Sequence, residues 1–263
     1  MSFADAAQVH STGTSVPAPR EQSAAAQDAV AGLAEVEVAT SALYAAVEGL
    51  DQVAMRGPSL LPGWSRAHVI THLARQADAL VNLLTWAKTG VEHQMYPSAA
   101  DRDADIAEGA IRWPQLLRAD LDAACQRFAT AAAELPAGAW EAEVAHLRGP
   151  LLAHRVPWLR LREVWLHLVD LDCGVGFADL PPHLAEWFVD EAVGQYADRP
   201  DVPAVRLEVR LPDGRQRSWE LTTTGSDAST SLSGAAADAI GWLTGRQDGT
   251  RLDGTAPALP SWL

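Results

Sequence analysis

Cysteine and positive charge are both scarce in this chain. Only Cys125 and Cys173 occur among 263 residues, so neither a disulfide framework nor a cysteine-rich zinc site is indicated. The 20 Lys and Arg residues face 34 Asp and Glu residues, which gives a formal net charge of −14. Nucleic acids and anionic membranes favour basic proteins, so we expect neither as a partner. An anionic substrate would need local arginines to overcome the negative field.

Long apolar runs and targeting signals are missing as well. No uninterrupted run of 18 apolar residues occurs, which argues against a transmembrane helix. The N-terminus lacks a basic stretch followed by an apolar one, the pattern of a signal peptide. We therefore expect a cytoplasmic protein. Residues 1–22 are small, polar and aperiodic, and they are predicted to form a mobile leader.

Helical patterns fill the chain from residue 23 to residue 173. An alanine-rich segment, residues 23–50, predicts a first helix. A second begins after Ser65 and stops at Gly90, and a third opens at Pro114 and ends before Pro136. Short connections between such helices are typical of an antiparallel bundle.

The pattern changes after Gly174. One more helix opens at Pro181, and residues 205–221 then alternate apolar and polar side chains around a Pro-Asp-Gly turn, which predicts a hairpin. A further strand and a helix from Gly234 to Thr244 are expected, and the tail with Trp262 is expected to add an edge. The predicted organisation is α+β. Its three parts are a leader (1–22), a helical bundle (23–175) and a small α+β domain (176–263).

One helix carries the most informative pattern, residues 160–173, RLREVWLHLVDLDC. Apolar residues surround most of its circumference, as in a buried helix, yet Arg160, Glu163, His167 and Asp170 share one stripe. A buried glutamate and histidine are costly unless something compensates both. Four residues apart, Glu163 and His167 can converge on one cation. Asp170 and Arg160, one turn along the same stripe, are plausible partners that support these ligands. A buried hydrogen-bonded pair explains the spacing equally well.

A third ligand would have to come from another helix. His68 and His72 lie four residues apart on the flank of a predicted core stripe, and either could supply it. A hydrogen-bonded histidine at the core boundary is the more common explanation of such a residue. Two histidines and one carboxylate form a catalytic type of zinc site with an open position, although spacing alone does not separate zinc from iron or nickel. Ten tryptophans could line a pocket, with core filling favoured.

Three segments resemble the mycothiol-dependent maleylpyruvate isomerases. They are LPGWSRAHVITHLARQADAL, MYPSAADRDADIAEGA and RLREVWLHLVDLDCG, and the later WLTGR also fits. The order and spacing match from about residue 25 to the C-terminus. The W-S-x-x-H-x-x-x-H-L pattern is shared with a wider DinB-related superfamily of thiol transferases, whereas the MYPS segment is more specific to the isomerases.

The resemblance implies a DinB-like antiparallel four-helix bundle followed by a smaller C-terminal α/β domain. It implies that His72, rather than His68, joins Glu163 and His167 in holding a divalent metal, usually zinc. It also implies that mycothiol adds reversibly to the cis double bond of maleylpyruvate, giving fumarylpyruvate in gentisate degradation. Arg102 and Arg246 match two arginines important in the family, which suits them to orient the carboxylates of the dianionic substrate. On spacing alone, Arg102 would be a solvated surface charge and Arg246 a cation at a helix end.

Two other functions remain open at this point. One is a mycothiol S-transferase acting on another electrophile, which would not need two arginines facing the metal. The other is a non-enzymatic bundle that binds a hydrophobic ligand and needs no stoichiometric metal. Cys125 and Cys173 fit poorly as nucleophiles because both are expected to be buried or incidental. The sequence leaves open the thiol-binding residues and the oligomeric state, a monomer being one option.

Overall fold

The computed structural model describes residues 23–146, 149–197, 199–221 and 230–261. The predicted leader and Trp262 lie outside these ranges. The described residues form eight α-helices and five strands in an α+β fold, as the sequence predicts. The helices are α1 Ala24–Glu48, α2 Gln52–Arg56, α3 Arg66–Thr89, α4 Ala99–Ala110, α5 Pro114–Ala133, α6 Val156–Asp170, α7 Ala185–Gly194 and α8 Ala236–Leu243. The strands are β1 Glu143–His146, β2 Gly149–Leu152, β3 Val205–Arg210, β4 Gln216–Leu221 and β5 Thr230–Ala235.

Four long helices, α1, α3, α5 and α6, form the bundle. Helix α3 packs against both α5 and α6, and α1 packs against α6. Helix α6 is buried on nearly all sides, as its continuous apolar sequence predicts. The short helix α4 lies against α3, where Gly109 contacts the side chain of Thr71 so closely that a Cβ atom would not fit.

Helix α1 is long and apolar enough to cross a membrane by length and composition alone. Its buried residues recur every three or four positions, from Ala26 through Val36 and Leu43 to Val47. This periodic face packs on α6, whereas Val30 and Val38 on the other side are exposed. Such an arrangement is typical of a bundle helix.

The C-terminal part contains a three-stranded sheet in the order β4-β3-β5. Strands β3 and β4 form the predicted antiparallel hairpin, and β5 pairs with β3 in parallel. The last helix was predicted to begin at Gly234, but it begins at Ala236, because Gly234 and Ala235 still pair with Val209 and Arg210. Helices α7 and α8 pack against each other beside this sheet.

The loop before α3 and the first residue of that helix hold the end of α6 in place. The backbone N–H of Leu60 donates to the carbonyl of Asp170 at 2.9 Å. The guanidinium of Arg66 donates to the carbonyl of Asp172 at 2.8 Å. Asp172 has a left-handed φ of 50°, which turns the chain out of the helix. These contacts satisfy carbonyls that a helix end leaves unpaired and so fix the position of the last turn of α6.

Candidate metal centre

Helices α3 and α6 bring His72, Glu163 and His167 together. Nε2 of His72 lies 3.2 Å from Oε2 of Glu163, and Nε2 of His167 lies 3.5 Å from the same oxygen. The two imidazole rings have centroids 4.5 Å apart and meet edge to face. One donor atom from each residue lies within 4.8 Å of the other two. The three side chains expected to share a cation therefore converge on one point.

His68 has a different role in the structure. Its Nδ1 accepts a hydrogen bond from the backbone N–H of Ser65 at 3.2 Å and lies 2.7 Å from the Ser65 hydroxyl. His68 thus helps to cap the N-terminus of α3, where backbone N–H groups lack partners inside the helix. One turn later, His72 faces α6, so the structure places His72 and not His68 in the cluster.

Asp170 and Arg246 support His167 from behind. Nδ1 of His167 lies 2.8 Å from Oδ2 of Asp170, and because a carboxylate accepts, Nδ1 is the donor. This hydrogen bond leaves Nε2 of His167 directed at Glu163. Arg246 binds both carboxylate oxygens of Asp170 in a bidentate fork, with Nε 3.1 Å from Oδ1 and Nη2 2.8 Å from Oδ2. Such carboxylate contacts orient a metal-binding histidine and make it more basic.

The position of Arg246 follows from how α8 ends. Gly245 has a left-handed φ of 72°, and its N–H donates to the carbonyl of Trp242. The N–H of Arg246 reaches back to the carbonyl of Gly241 at 2.9 Å. These two bonds form a Schellman motif with glycine at the left-handed position. The Thr-Gly-Arg sequence therefore ends the helix and directs the arginine side chain toward α6.

Arg102 reaches the cluster from helix α4. Arg102, Ile106 and Gly109 lie on one helix face, which Gly109 allows to approach α3 closely. Nη2 of Arg102 lies 3.3 Å from Nδ1 of His72, and because a guanidinium only donates, Nδ1 is the acceptor here. Nη1 binds Asp103 at 2.7 Å, leaving the guanidinium over the ring of Tyr96.

Burial and mutual hydrogen bonds shift the pKa values of these groups. Burial and the neighbouring His167 lower the pKa of His72 to about 4, so His72 is neutral at pH 7. Burial alone would raise the pKa of Glu163, but hydrogen bonds from His167 and His72 outweigh it and hold that pKa well below the usual value. Burial lowers the pKa of His167, but hydrogen bonds to Asp170 and Glu163 outweigh it, and the net shift is upward.

These residues fit a divalent cation. Two imidazoles and an ionised carboxylate are the ligand set of catalytic zinc sites, which keep a further position open for water or substrate. Without a cation, the buried carboxylate of Glu163 is compensated by hydrogen bonds from the two imidazoles and by the guanidinium of Arg162, 3.4 Å from its Oε1. The donor atoms are already close enough for one ion to contact all three.

Two cavities meet at this cluster, and His72, Arg102 and Glu163 line both. The larger cavity has a volume of about 720 Å³ and the smaller one about 510 Å³. The larger cavity is walled by the bundle and the C-terminal part, with Trp64, Trp242, Arg246, Gln247 and Asp248 among its lining residues. The smaller cavity lies between α3, α4 and α6, with Gln76, Gln94, Tyr96, Ser98 and Arg162 among its lining residues.

Sequence spacing does not predict several of the residues that line the site. Trp64 and Tyr96 lie within the recognisable segments but carry no periodic signal, and Gln247 becomes a wall residue only through the turn after α8. Arg160 shares the stripe of Glu163 and His167, and the sequence therefore made it a plausible support for the ligands. In the structure it lies elsewhere: it is 1% exposed and binds the carbonyl of Leu73 and Oε1 of Gln76, both at 2.7 Å.

Comparisons with known proteins concern the family and the fold of the chain. The profile of the family described as "Mycothiol maleylpyruvate isomerase N-terminal domain" matches residues 36–172. A crystal structure of the mycothiol-dependent maleylpyruvate isomerase is 29% identical with a TM-score of 0.81. That of a histidine-to-alanine mutant is 30% identical with a TM-score of 0.80. Each alignment covers 89% of this chain and 97% of the other. Among curated protein sequences nothing matches.

Proposed function

Because this chain belongs to the mycothiol-dependent maleylpyruvate isomerases, a family of enzymes, we propose that it converts maleylpyruvate to fumarylpyruvate with mycothiol as its thiol cofactor. The observation that carries the proposal is the convergence of His72, Glu163 and His167 beside an arginine, at the junction of two cavities. We propose that these three residues hold a divalent metal, with zinc as the best match to the ligand set.

Isomerisation of maleylpyruvate requires that its cis double bond become a single bond for long enough to rotate. A divalent cation held by His72, Glu163 and His167 would keep the thiol of the cofactor ionised near neutral pH. Addition of that thiolate to the double bond would move the electron pair of the alkene into an enolate of the conjugated ketone, leaving a single bond that can rotate before the thiolate leaves again. The protein holds the ligand atoms in place: the Asp170 carboxylate keeps the proton of His167 on Nδ1, and the Arg246 fork fixes that carboxylate. His72 is neutral at pH 7, and a metal at its Nε2 would take the lone pair there with the ring proton on Nδ1, in place of the contact with Arg102.

We assign different tasks to the two arginines. Arg102 lines both cavities with 27% of its side chain exposed, so its guanidinium can receive a carboxylate of the dianion and stabilise charge that develops on it. Arg246 also lines the larger cavity, but its charge is paired with Asp170. Arg246 is therefore mainly a positioning residue that acts through Asp170 and His167.

Both arginines line the larger cavity at the candidate metal centre. Because Arg246 is paired with Asp170, Arg102 is the arginine that favours an anionic substrate over the uncharged electrophiles of an S-transferase. Membership of an enzyme family argues against a ligand-binding bundle without activity. The family profile ends at residue 172, which supports the division into a bundle up to residue 175 and a C-terminal domain from residue 176.

The test is an absorbance assay of maleylpyruvate isomerisation on the zinc-loaded protein, with and without mycothiol, beside measurement of bound metal. We expect turnover only with the thiol and about one metal per chain. His72→Ala is expected to lose both metal and activity. His68→Ala is the matched control, because His68 lies on the same helix but outside the three-residue cluster, and it should keep both. Full metal content in His72→Ala would remove His72 from the ligand set.

A further inference from the structure

We propose that Cys125 is a modification site whose sulfur forms a mixed disulfide with a small, uncharged disulfide in a cleft between α1 and α5. The cleft has a volume of about 410 Å³. Among the described residues, it shares no lining residue with the two cavities at the candidate metal centre. The inference is therefore independent of the proposed function. Buried Cys125 and Arg160 line the cleft together with exposed Glu37 and Gln126, so it leads from solvent to the sulfur-bearing residue.

Arg160 is a buried cation without a carboxylate partner. Its side chain is 1% exposed. Nη1 donates to the carbonyl of Leu73 and to Oε1 of Gln76, and Nη2 donates to Sγ of Cys125 at 3.3 Å. In the part of the chain that the structure describes, no aspartate or glutamate forms an ion pair with this guanidinium. A buried charge is costly unless it is compensated, and of these three partners only the sulfur can carry a negative charge.

The guanidinium therefore stands where it can activate the cysteine. Positive charge beside a cysteine favours the thiolate, which is the form that attacks disulfides. Burial acts in the opposite direction, so the compensation has to come from Arg160. The carboxylate of Asp122, one turn before Cys125, accepts hydrogen bonds from the hydroxyl of Tyr44 and the amide of Gln126. Burial and the neighbouring Cys125 raise the pKa of Tyr44, so its phenol is protonated at neutral pH.

Cys173 provides an internal comparison, because it is the only other cysteine in the chain. It is half-buried, whereas Cys125 is 8% exposed. Burial raises the pKa of the Cys173 thiol, and the guanidinium of Arg66 nearby already donates to the backbone carbonyls of Leu171 and Asp172. Exposure alone therefore predicts that Cys173 reacts first, whereas the buried guanidinium predicts that Cys125 does.

The step is a thiol–disulfide exchange. The thiolate of Cys125 attacks one sulfur of the small disulfide, and the S–S bond of that molecule breaks as the new S–S bond forms. The leaving thiolate takes a proton from water. One disulfide is consumed and one is made, so the small disulfide is the only co-reactant. Val36 and Phe128 line the cleft beside the sulfur-bearing residue, which suits an uncharged reagent.

Reaction of the zinc-loaded protein with hydroxyethyl disulfide near neutral pH tests the site. Mass spectrometry of digested samples taken over time gives the fraction of each cysteine that is modified. We expect Cys125 to be modified before Cys173, and a reducing agent to release the added group. Faster modification of Cys173, or a Cys125 that stays unmodified, would overturn the inference.

Two substitutions of Arg160 test the role of its charge. Arg160→Met removes the charge from a side chain of similar length and should slow modification of Cys125 roughly 10- to 100-fold, the worth of one hydrogen bond to a charged group. Arg160→Lys keeps a positive charge and should keep most of the reactivity. Modification of Cys173 should be unchanged in both, and circular dichroism confirms that each variant is folded. An unchanged rate at Cys125 in folded Arg160→Met would contradict the activating role.

A surface variant tests access to the sulfur and leaves the buried cation intact. Ala129 is exposed, lies one turn after Cys125 on α5 and lines the cleft. Ala129→Leu narrows the cleft and should slow modification of Cys125. Ala119→Leu is the matched control, because Ala119 is exposed on the same helix but does not line the cleft. Equal rates at Cys125 in these two variants would show that the reagent does not enter through the cleft and would refute the proposed site.

Discussion

Asp170 lies between His167 and Arg246, 2.8 Å from a nitrogen of each. The carboxylate is fully buried, and both oxygens are used by the Arg246 fork. Helix α6 supplies both Asp170 and His167, one turn apart, whereas Arg246 comes from the C-terminal part. The candidate metal centre is therefore built on the bundle but braced by the turn after α8.

Asp170→Asn is expected to weaken metal binding. The amide retains the shape of the side chain but loses the charge that holds the Nδ1 proton of His167, and loss of such a partner typically reduces metal affinity roughly 10- to 100-fold. Competition with a chromogenic chelator measures the effect. Asp201→Asn is the control, because within the described part of the chain Asp201 forms its ion pair with Arg199, at the surface. Equal affinities in the two variants would contradict a supporting role for Asp170.

Gly245→Ala is expected to disturb the centre from a distance. A Cβ at a left-handed φ costs about 1 kcal/mol, and relief of that strain would shift Arg246 away from Asp170. We expect a loss of stability of that order and a measurable loss of metal affinity. Gly214→Ala offers a matched comparison: Gly214 also has a left-handed φ, 86°, and open space around it, but it lies in the turn between β3 and β4. It should lose similar stability and no metal affinity. If both variants keep metal equally well, the Gly245 turn does not position Arg246 for the centre.

Arg102→Ala is expected to impair substrate handling while the metal stays bound. A hydrogen bond to a charged group is worth about 1.5–3 kcal/mol, so kcat/KM for maleylpyruvate should fall roughly 10- to 100-fold. Steady-state kinetics and metal analysis of the same sample separate the two effects. Arg112→Ala serves as control, because Arg112 follows the same helix but pairs with Glu108 and Asp120. Unchanged turnover in Arg102→Ala would refute its role.

The sequence predicts the ligand helix and much of the fold, but it does not predict which polar residues of α6 meet the ligands. A four-residue spacing fixes two side chains on one face of one helix, so the proximity of Glu163 and His167 could be expected. The choice between His68 and His72 depends on how α3 is rotated against α6, which spacing within α3 does not reveal. The expectation that Arg160 supports the ligands is wrong for the same reason. One turn before Glu163 on the same stripe, its side chain binds Leu73 and Gln76 instead of the cluster.

Arg246 shows a second limit. Its Gly-Arg sequence predicts a helix end, which the structure confirms, but the partner Asp170 lies 76 residues away in the sequence. Only the packing of the C-terminal part on the bundle brings the two together. The two cavities could not be predicted from the sequence for the same reason, because residues from segments far apart in the chain line each of them.

In the metal-free protein, the His167–Asp170 pair predicts that the difference in unfolding free energy between wild type and Asp170→Asn follows a bell-shaped curve with pH. Burial would raise the pKa of Asp170, but hydrogen bonds from His167 and Arg246 outweigh it and lower the pKa from its ordinary 3.8. Stability from this lowered carboxylate is present above pH 3.8 and is lost as the pH falls through the folded-state value. The pKa of His167 is raised from its ordinary 6.5, so stability from its charge is present below pH 6.5 and is lost as the pH rises through the folded-state value.

We therefore expect the difference in unfolding free energy between wild type and Asp170→Asn to be largest between these limits and to shrink on both sides. Urea unfolding of chelator-treated protein across the acid, neutral and mildly alkaline range measures it. For the surface variant Asp201→Asn, the difference in unfolding free energy from wild type should not decline above pH 6.5, because this variant leaves His167 and Asp170 paired. A wild-type to Asp170→Asn difference that stays flat across the range would show that Asp170 and His167 do not share a proton-linked interaction. Asp170 could then act only by filling space beside Arg246.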